Sequence, residues 1–147
     1  MVDPGQTSSH PAVLAVGDAA RHRVDGVLQP LAEHWEAASG DGARAAATLL
    51  GQEPPAPGAA WFWSDRYGHH VEVVGRMADA TSTVVRGEVG EPPFAVFGLH
   101  DGLVVGAVSV DDPTAVKTAR RMVDRRVVVD PDRLADPTSD LRRLLRR

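Results

Sequence analysis

The pattern of hydrophobic and polar positions divides the chain into a helical part and a strand-rich part. Residues 33–50 are rich in alanine and leucine and are followed by Gly51, which predicts a helix ending at a glycine. Upstream, the apolar run Val13–Val16 precedes Gly17-Asp18, which predicts a buried strand followed by a turn.

Downstream of residue 60 the pattern changes to short apolar and β-branched runs, which are typical of strands. They lie at Val71–Val74, Thr81–Gly87, Phe94–His100 and Leu103–Ser109. The last two runs flank Asp101-Gly102, and an Asp-Gly pair between apolar runs is the strongest short-range signal for a hairpin. We therefore expect an antiparallel sheet.

Three Asp-Pro pairs follow the predicted strands. Asp112-Pro113 supplies an N-cap and a proline at the first helical position, while Asp130-Pro131 and Asp136-Pro137 predict shorter turns. The first of these helices has an apolar face made of Val116, Ala119, Met122 or Val123, and Val127. A last helix has an apolar stripe made of Leu141, Leu144 and Leu145, and its final arginines complement the helix dipole.

A proline- and glycine-rich stretch at residues 52–58 separates the two parts and predicts a linker, because proline cannot continue a helix. We predict two domains, residues 1–53 and residues 58–147. The second has the α+β fold class, with an antiparallel β-sheet and helices packed on one face.

Composition and termini exclude several classes of protein. The chain has no cysteine, which excludes a disulfide framework and a thiolate metal site and fits a reducing cytoplasm. The first residues do not resemble a signal peptide, and no apolar stretch is long enough to cross a membrane.

Candidate chemistry in the histidines and serines is weak. His69 and His70 are adjacent in a predicted strand, so their side chains point to opposite faces and cannot share a metal ion. Ser64-Asp65 lacks the glycine-flanked serine of a hydrolase. We therefore predict no metal site and no catalytic residue.

Arginine is concentrated toward the C-terminus, although the formal net charge is −4. After Lys117 the arginines are Arg120, Arg121, Arg125, Arg126, Arg133, Arg142, Arg143, Arg146 and Arg147. Two interpretations stay open: solvated helix faces, or a basic docking surface for an acidic partner. Nucleic acid is disfavoured because the overall charge is acidic and no recognition motif accompanies the arginines.

The aromatic residues cluster in Trp61-Phe62-Trp63-Ser64-Asp65-Arg66-Tyr67, which holds two of the three tryptophans and the only tyrosine. A strand with three consecutive rings has aromatic groups on both faces. One face can serve the core, whereas the other must meet a second domain, a partner or a flat ligand.

In their order along the chain, these motifs resemble the C-terminal part of the FAD-dependent ferredoxin reductases, which include the reductase components of ring-hydroxylating dioxygenases. The motifs that carry the resemblance are Gly17-Asp18 after its apolar run, Glu33-His34-Trp35 and the aromatic run, with support from Val85-Arg86-Gly87 and Leu144-Leu145. The resemblance covers almost the whole chain. It implies a reductase C-terminal domain in residues 58–147, preceded by a strand–helix remnant of an FAD-binding α/β domain.

The resemblance also implies a set of FAD contacts. The residues that match the family's flavin-binding positions are Gly17, Asp18, Glu33, His34, Trp35 and Trp63. The Gly-Asp pair would contact the ribityl chain, and the helix start would face the pyrimidine end, where a helix dipole stabilises the negative charge of reduced flavin. The tryptophan matches an aromatic residue close to the flavin, where electrons leave for the ferredoxin.

The sequence departs from the family in several places. Both glycine-rich fingerprints, for FAD and for NAD(P)H, are absent, and Pro30-Leu31-Ala32 replaces an expected arginine. Asp41 replaces a glutamine that is frequent in the family. The resemblance therefore predicts a partial FAD site in the C-terminal portion of an NAD(P)H:ferredoxin reductase, with no tight FAD binding or NADH oxidation by this chain alone.

The function expected from the resemblance is electron transfer from FAD to a small iron–sulfur protein. One alternative is a non-catalytic interaction module that binds a ferredoxin or a full-length reductase chain. A second is a truncated product without independent function.

Overall fold

The computed structural model describes residues 1–145, and the chain divides into two compact units, Met1–Pro57 and Gly58–Arg147. The regular elements of the first unit are β1 (Arg23–Val24), β2 (Val27–Leu28) and α1 (Trp35–Leu49), in which β1 and β2 pair antiparallel. None of the helices in the described residues is both long and apolar enough to span a membrane.

The helix predicted for residues 33–50 is present as α1. His34 is its N-cap, and the Nδ1 atom of this histidine accepts a hydrogen bond from the backbone N–H of Ala37 at 3.3 Å. At the other end Gly51 has a φ of 66°, a left-handed conformation that glycine adopts without strain. Gly51 therefore predicted the end of this helix correctly.

The strand predicted at Val13–Val16 is not a regular strand, and that prediction was wrong. Leu14 forms only an isolated antiparallel bridge with Thr7, while Val13 and Val16 remain 49% and 43% exposed. Turns on both sides of Thr7 end the pairing after one residue, and a strand needs a paired neighbour to satisfy its backbone groups. The predicted turn is present as the 3-10 segment Gly17–Ala19.

The second unit is built on a five-stranded antiparallel sheet with the strand order β3-β4-β7-β6-β5. The strands are β3 (Trp61–Arg66), β4 (His69–Gly75), β5 (Ser82–Glu88), β6 (Glu91–His100) and β7 (Leu103–Val110). Two-residue turns join three of the neighbouring pairs, and in two of these turns both residues have positive φ. Asp101 and Gly102 have φ angles of 49° and 75°, and Tyr67 and Gly68 have 53° and 81°. Positive φ at both positions is the conformation that matches the twist of a hairpin, so the hairpin prediction is confirmed.

The helices of the second unit are α2 (Pro113–Arg125) and α3 (Pro131–Ala135), followed by the 3-10 segment Leu141–Leu145. Asp112 caps α2 by accepting a hydrogen bond from the N–H of Ala115 at 3.0 Å. These elements and the sheet enclose one core, whose largest fully buried apolar side chains are Phe97, Met122, Leu134, Val74 and Val116. The predicted α+β class is confirmed. The final arginines, Arg146 and Arg147, lie outside the described residues.

Arg86 of β5 binds the end of α3 and the chain that follows it. Its guanidinium donates hydrogen bonds to four backbone carbonyls, those of Leu134, Asp136, Pro137 and Ser139. One charged side chain thereby satisfies acceptors in a segment that has little regular secondary structure of its own.

Candidate functional site

The Gly17–Ala19 turn of the first unit packs closely on α1. The N–H of Gly17 donates to the Asp41 carboxylate at 3.0 Å, and a Cβ at Gly17 would lie 3.4 Å from the Cβ of Ala38. Gly17 has a φ of 67°, a backbone conformation in which residues other than glycine are strained. Asp18, the next residue, is exposed.

The start of α1 carries the other candidate residues of the first unit. Glu33 is exposed, His34 is the N-cap, and Trp35 is the first helical residue, with 71% of its surface exposed. The first backbone N–H groups of a helix have no intrahelical acceptor, and the helix dipole makes this end attractive to negative charge. The structure thus places the Gly17-Asp18 turn and this helix start within one unit.

Asp41 is a buried acceptor that sequence reasoning noted only as a departure from the family. It is 4% exposed and pairs with the guanidinium of Arg44, while the Nε2 atom of His22 lies 3.1 Å from its Oδ1 atom. Because it also accepts from the N–H of Gly17, this carboxylate fixes the turn on the helix. This role depends on the tertiary structure, in which residues 6–22 fold back onto α1, so the sequence alone does not reveal it.

The candidate residues of the first unit fit part of an FAD molecule. The exposed carboxylate of Asp18 can accept hydrogen bonds from a polyol such as the ribityl chain, and the start of α1 can face a negatively charged ring. The glycine-rich fingerprint that would cradle the phosphates is absent from the sequence.

Trp61 and Trp63 form a close, tilted pair of rings on the edge strand β3 of the second unit. Their ring centroids are 4.9 Å apart with an interplanar angle of 31°, and the guanidinium of Arg120 lies 5.9 Å from the Trp61 ring. Both tryptophans are on the face of the sheet that carries the core, whereas Phe62 points to the other face. Trp61 packs against the core, and Trp63 keeps 40% of its surface exposed.

A buried carboxylate holds the indole of Trp61. Glu72 of β4 is 3% exposed, and its Oε1 atom accepts a hydrogen bond from Trp61 Nε1 at 3.0 Å. The other oxygen, Oε2, has no hydrogen-bond partner among residues 1–145 and lies 3.9 Å from the Nε2 atom of His70. The Nδ1 atom of His70 lies 2.6 Å from Asp65, so Trp61, Glu72, His70 and Asp65 form one connected group, here called the Glu72 cluster.

His69, next to His70 in sequence, belongs to a separate contact. Its Nδ1 atom lies 2.7 Å from Asp111, and the hydrogen bond from His69 is the main cause that lowers the pKa of the Asp111 carboxyl. The opposite orientation of the two histidines follows the cross-strand register, which pairs His69 with Arg66 and His70 with Asp65. Within residues 1–145, no three or more histidine, cysteine or acidic side chains are grouped to hold a metal ion.

The Glu72 cluster was missed in the sequence, although a signal for it was present. The Tyr67-Gly68 turn fixes the register that sets Asp65 opposite His70 and Trp63 opposite Glu72. Counting outward from a two-residue turn would have placed these side chains on one face.

The arginines of the second unit are mostly exposed. Those exposed among the described residues are Arg66, Arg76, Arg121, Arg125, Arg126, Arg133, Arg142 and Arg143, whereas Arg120 is half-buried beside Trp61. Exposure is compatible with both interpretations of the basic C-terminal region, solvated faces and a docking surface.

Residues 61–145 match the family described as Reductase C-terminal. The chain belongs to this family. One relative is the ferredoxin–NAD(+) reductase component of the anthranilate 1,2-dioxygenase system of Burkholderia cepacia. It is 35% identical to this chain, over 98% of this chain and 36% of the relative. Putidaredoxin reductase of Pseudomonas putida is 28% identical, over 99% of this chain and 35% of that protein. The chain therefore spans about a third of the length of these relatives.

Solved structures give the same result for the fold. The chain in a covalent putidaredoxin reductase–putidaredoxin complex matches with a TM-score of 0.88 and 28% identity, over 98% of this chain and 35% of that one. The ferredoxin reductase of the CYP199A2 system from Rhodopseudomonas palustris matches with a TM-score of 0.85 and 30% identity, over 97% of this chain and 35% of that one. The resemblance to the ferredoxin reductases is confirmed.

Proposed function

We propose that this chain acts as the C-terminal portion of a flavin-dependent NAD(P)H:ferredoxin reductase, in electron transfer from FAD to a small iron–sulfur protein. The observation that carries the proposal is the Reductase C-terminal match, which begins at Trp61, the first residue of the tryptophan pair. Relatives that match over almost the whole chain are named as ferredoxin reductase components, which supports the same role here.

The proposal gives this chain's residues separate tasks toward the flavin. FAD, when bound, accepts a hydride and releases single electrons. Asp18 would bind the ribityl hydroxyls, with Gly17 allowing the approach, and the helix start at Glu33, His34 and Trp35 would stabilise negative charge. Trp63, with a partly exposed ring, would lie against the flavin.

The proposal includes a division of the chain in which residues 1–53 correspond to the end of an FAD-binding domain and residues 58–147 to the reductase C-terminal domain. Since the glycine-rich fingerprints for FAD and NAD(P)H are absent, this chain alone is expected to neither retain FAD tightly nor oxidise NADH.

The test is the visible absorption spectrum of the purified chain, recorded alone, after addition of FAD, and after gel filtration. We expect weak, reversible binding, seen in a chain carrying Trp35→Phe as quenching of tryptophan fluorescence by added FAD, and strongly reduced when Trp63→Leu is added. The matched control is Phe62→Leu, the neighbour on the opposite face of β3, which should retain the quenching. A chain that purifies yellow and reduces an acceptor with NADH would contradict the non-catalytic part of the proposal. An absence of quenching at millimolar FAD would contradict the flavin site.

The alternative function is a non-catalytic interaction module that binds a ferredoxin or a full-length reductase. The observation that favours it is the exposed set of arginines at the end of α2 and beyond. Titration with a ferredoxin at low and high salt tests this function, because a contact between opposite charges weakens as salt increases. Charge reversal at Arg121 and Arg125 should weaken binding, whereas reversal at Arg23 in the first unit should leave it unchanged.

A further inference from the structure

The buried Glu72 carboxylate has an incomplete set of hydrogen bonds. Its Oε1 atom accepts from Trp61, but its Oε2 atom has no hydrogen-bond partner in the described part of the chain, and the side chain is only 4% exposed. Withdrawing a carboxylate from water is costly unless a positive charge or further donors compensate for the lost hydration. A nearby group that can carry a proton would complete the site.

His70 is placed to be that group. One of its ring nitrogens lies 2.6 Å from Asp65, and the other lies 3.9 Å from the free oxygen of Glu72, within ion-pair range. A neutral imidazole has a single N–H and can donate toward one carboxylate only, whereas the imidazolium donates from both nitrogens. The geometry therefore favours the protonated ring.

The acidic groups around this ring act in the same direction. Asp111, which accepts a hydrogen bond from the His70 backbone N–H at 2.7 Å, adds a third negative charge. The guanidinium of Arg120 lies 5.9 Å from the centroid of the Trp61 ring. The hydrogen bond with Asp65 is the main cause that raises the pKa of His70, desolvation opposes it, and Glu72 and Asp111 add to the rise.

We propose that Glu72 and His70 are positioning residues for the Trp61–Trp63 pair. Glu72 fixes the indole of Trp61, the Trp61 ring lies against that of Trp63, and the proton on His70 supplies a positive charge beside Glu72. The geometry of the aromatic pair is therefore linked to proton uptake. The link to flavin chemistry rests on the function proposed above, but the positioning itself does not.

The sign of the pH dependence follows from the raised pKa of His70. The compensating charge is fully present below the ordinary histidine value of 6.5 and is lost as the pH rises through the higher value in the folded protein. Above that pH, the His70 charge no longer offsets the buried Glu72 carboxylate, and the pair is expected to loosen.

The experiment uses the full chain carrying Trp35→Phe, so that only Trp61 and Trp63 emit. Tryptophan emission and near-ultraviolet circular dichroism are recorded from pH 5.5 to 9. We expect one transition with a midpoint above pH 6.5, which His70→Gln abolishes. The matched control is His69→Gln, the neighbouring histidine that contacts Asp111 instead, and it should leave the transition in place.

Two substitutions of Glu72 separate positioning from a general structural role. Glu72→Gln keeps an oxygen that can accept from Trp61 but removes the charge, so the dichroism of the pair should persist without its pH dependence. Glu72→Leu removes both, and the dichroism of the pair should fall at every pH. Far-ultraviolet dichroism verifies that each variant is folded.

Several outcomes would overturn the proposal. A transition that survives His70→Gln, or one that His69→Gln removes, would assign the pH dependence to another group. Should His70→Gln fail to fold, Asp65→Asn is the second variant. This substitution removes the main cause of the raised pKa, so the midpoint should move to lower pH, and an unchanged midpoint would contradict the proposal. FAD titration remains a separate readout, so its failure counts against the proposed function and not against the positioning.

Discussion

The two units of the chain differ in the kind of side chain that they bury. In the second unit, fourteen buried apolar side chains within the described residues form one cluster around Phe97. In the first unit the buried apolar side chains are Val2, Ala20, Ala45 and Ala47, and the interior also holds Gln6 and Asp41. Large apolar side chains of the first unit, including Trp35, Leu49 and Leu50, are more than 70% exposed.

The difference teaches which interactions hold each unit. Burial of apolar area contributes about 25 cal/mol per Å², so a unit with a cluster of large side chains has a large hydrophobic contribution. A unit with small buried side chains must rely on satisfied polar contacts, and Asp41 with Arg44, His22 and Gly17 is the main such contact.

The largest expected effect tests the hydrophobic side of this comparison. Phe97→Ala removes a fully buried ring and should lower the free energy of unfolding by about 3–5 kcal/mol, through lost transfer energy and a cavity. Urea unfolding followed by tryptophan emission measures the change. Leu50→Ala, at a site 71% exposed, is the control and should cost less than about 0.5 kcal/mol. A similar loss of unfolding free energy at both sites would contradict the view that large buried side chains stabilise the second unit.

The next effect tests the polar side. Asp41→Ala leaves the Arg44 guanidinium, only 13% exposed, without its partner, and removal of one member of a buried pair costs about 3 kcal/mol. Hydrogen exchange of the α1 amides should accelerate accordingly. Glu53→Gln, at an exposed position of the same unit, should leave the exchange unchanged. If the α1 amides of Asp41→Ala kept their full protection from hydrogen exchange, burial of apolar side chains would be shown to stabilise this unit as well.

A smaller effect compares the two helix caps. Asp112→Ala removes the side-chain acceptor at the start of α2 and should cost about 1 kcal/mol. His34→Ala removes a longer, 3.3 Å contact at the start of α1, so its cost should be smaller. Thermal unfolding of both variants measures the difference, and a larger loss at His34 would reverse the expected order.

The smallest effect concerns acid stability. Hydrogen bonds from Thr138, and then Ser139, lower the pKa of Asp136 below its ordinary value of 3.8. The carboxylate therefore contributes stability above that value, and the contribution is lost as the pH falls through the lower value in the folded protein. Asp136→Asn should make acid unfolding begin at slightly higher pH, with Asp132→Asn as the exposed control.

Local chemistry carried the successful sequence predictions. An Asp-Gly pair and an Asp-Pro pair determine backbone angles and hydrogen bonds within a few residues, so the β6–β7 hairpin and the start of α2 could be predicted. The order of motifs pointed to the family, because the aromatic run and the Gly-Asp pair occur at characteristic positions along the chain.

Long-range contacts explain what the sequence did not reveal. Val13–Val16 has the composition of a strand, but a strand also needs a partner, and the turns around Thr7 leave only one bridge. The Glu72 cluster joins β3 to β4 through register, and Asp41 joins α1 to the Gly17 turn through the fold. Such contacts depend on which segments meet, which residue types alone do not determine.

The guanidinium of Arg86 also has a consequence for the order of events during folding. Its four carbonyl acceptors lie 48 to 53 residues further along the chain, so the contact closes a long loop, and we expect it to form after the local turns and hairpins. On a ribosome, β5 is synthesised well before these acceptors, and the arginine remains hydrated until they emerge. Docking of the segment around Pro137 is thus a late step, in which a single side chain exchanges water for the peptide oxygens of the last turns.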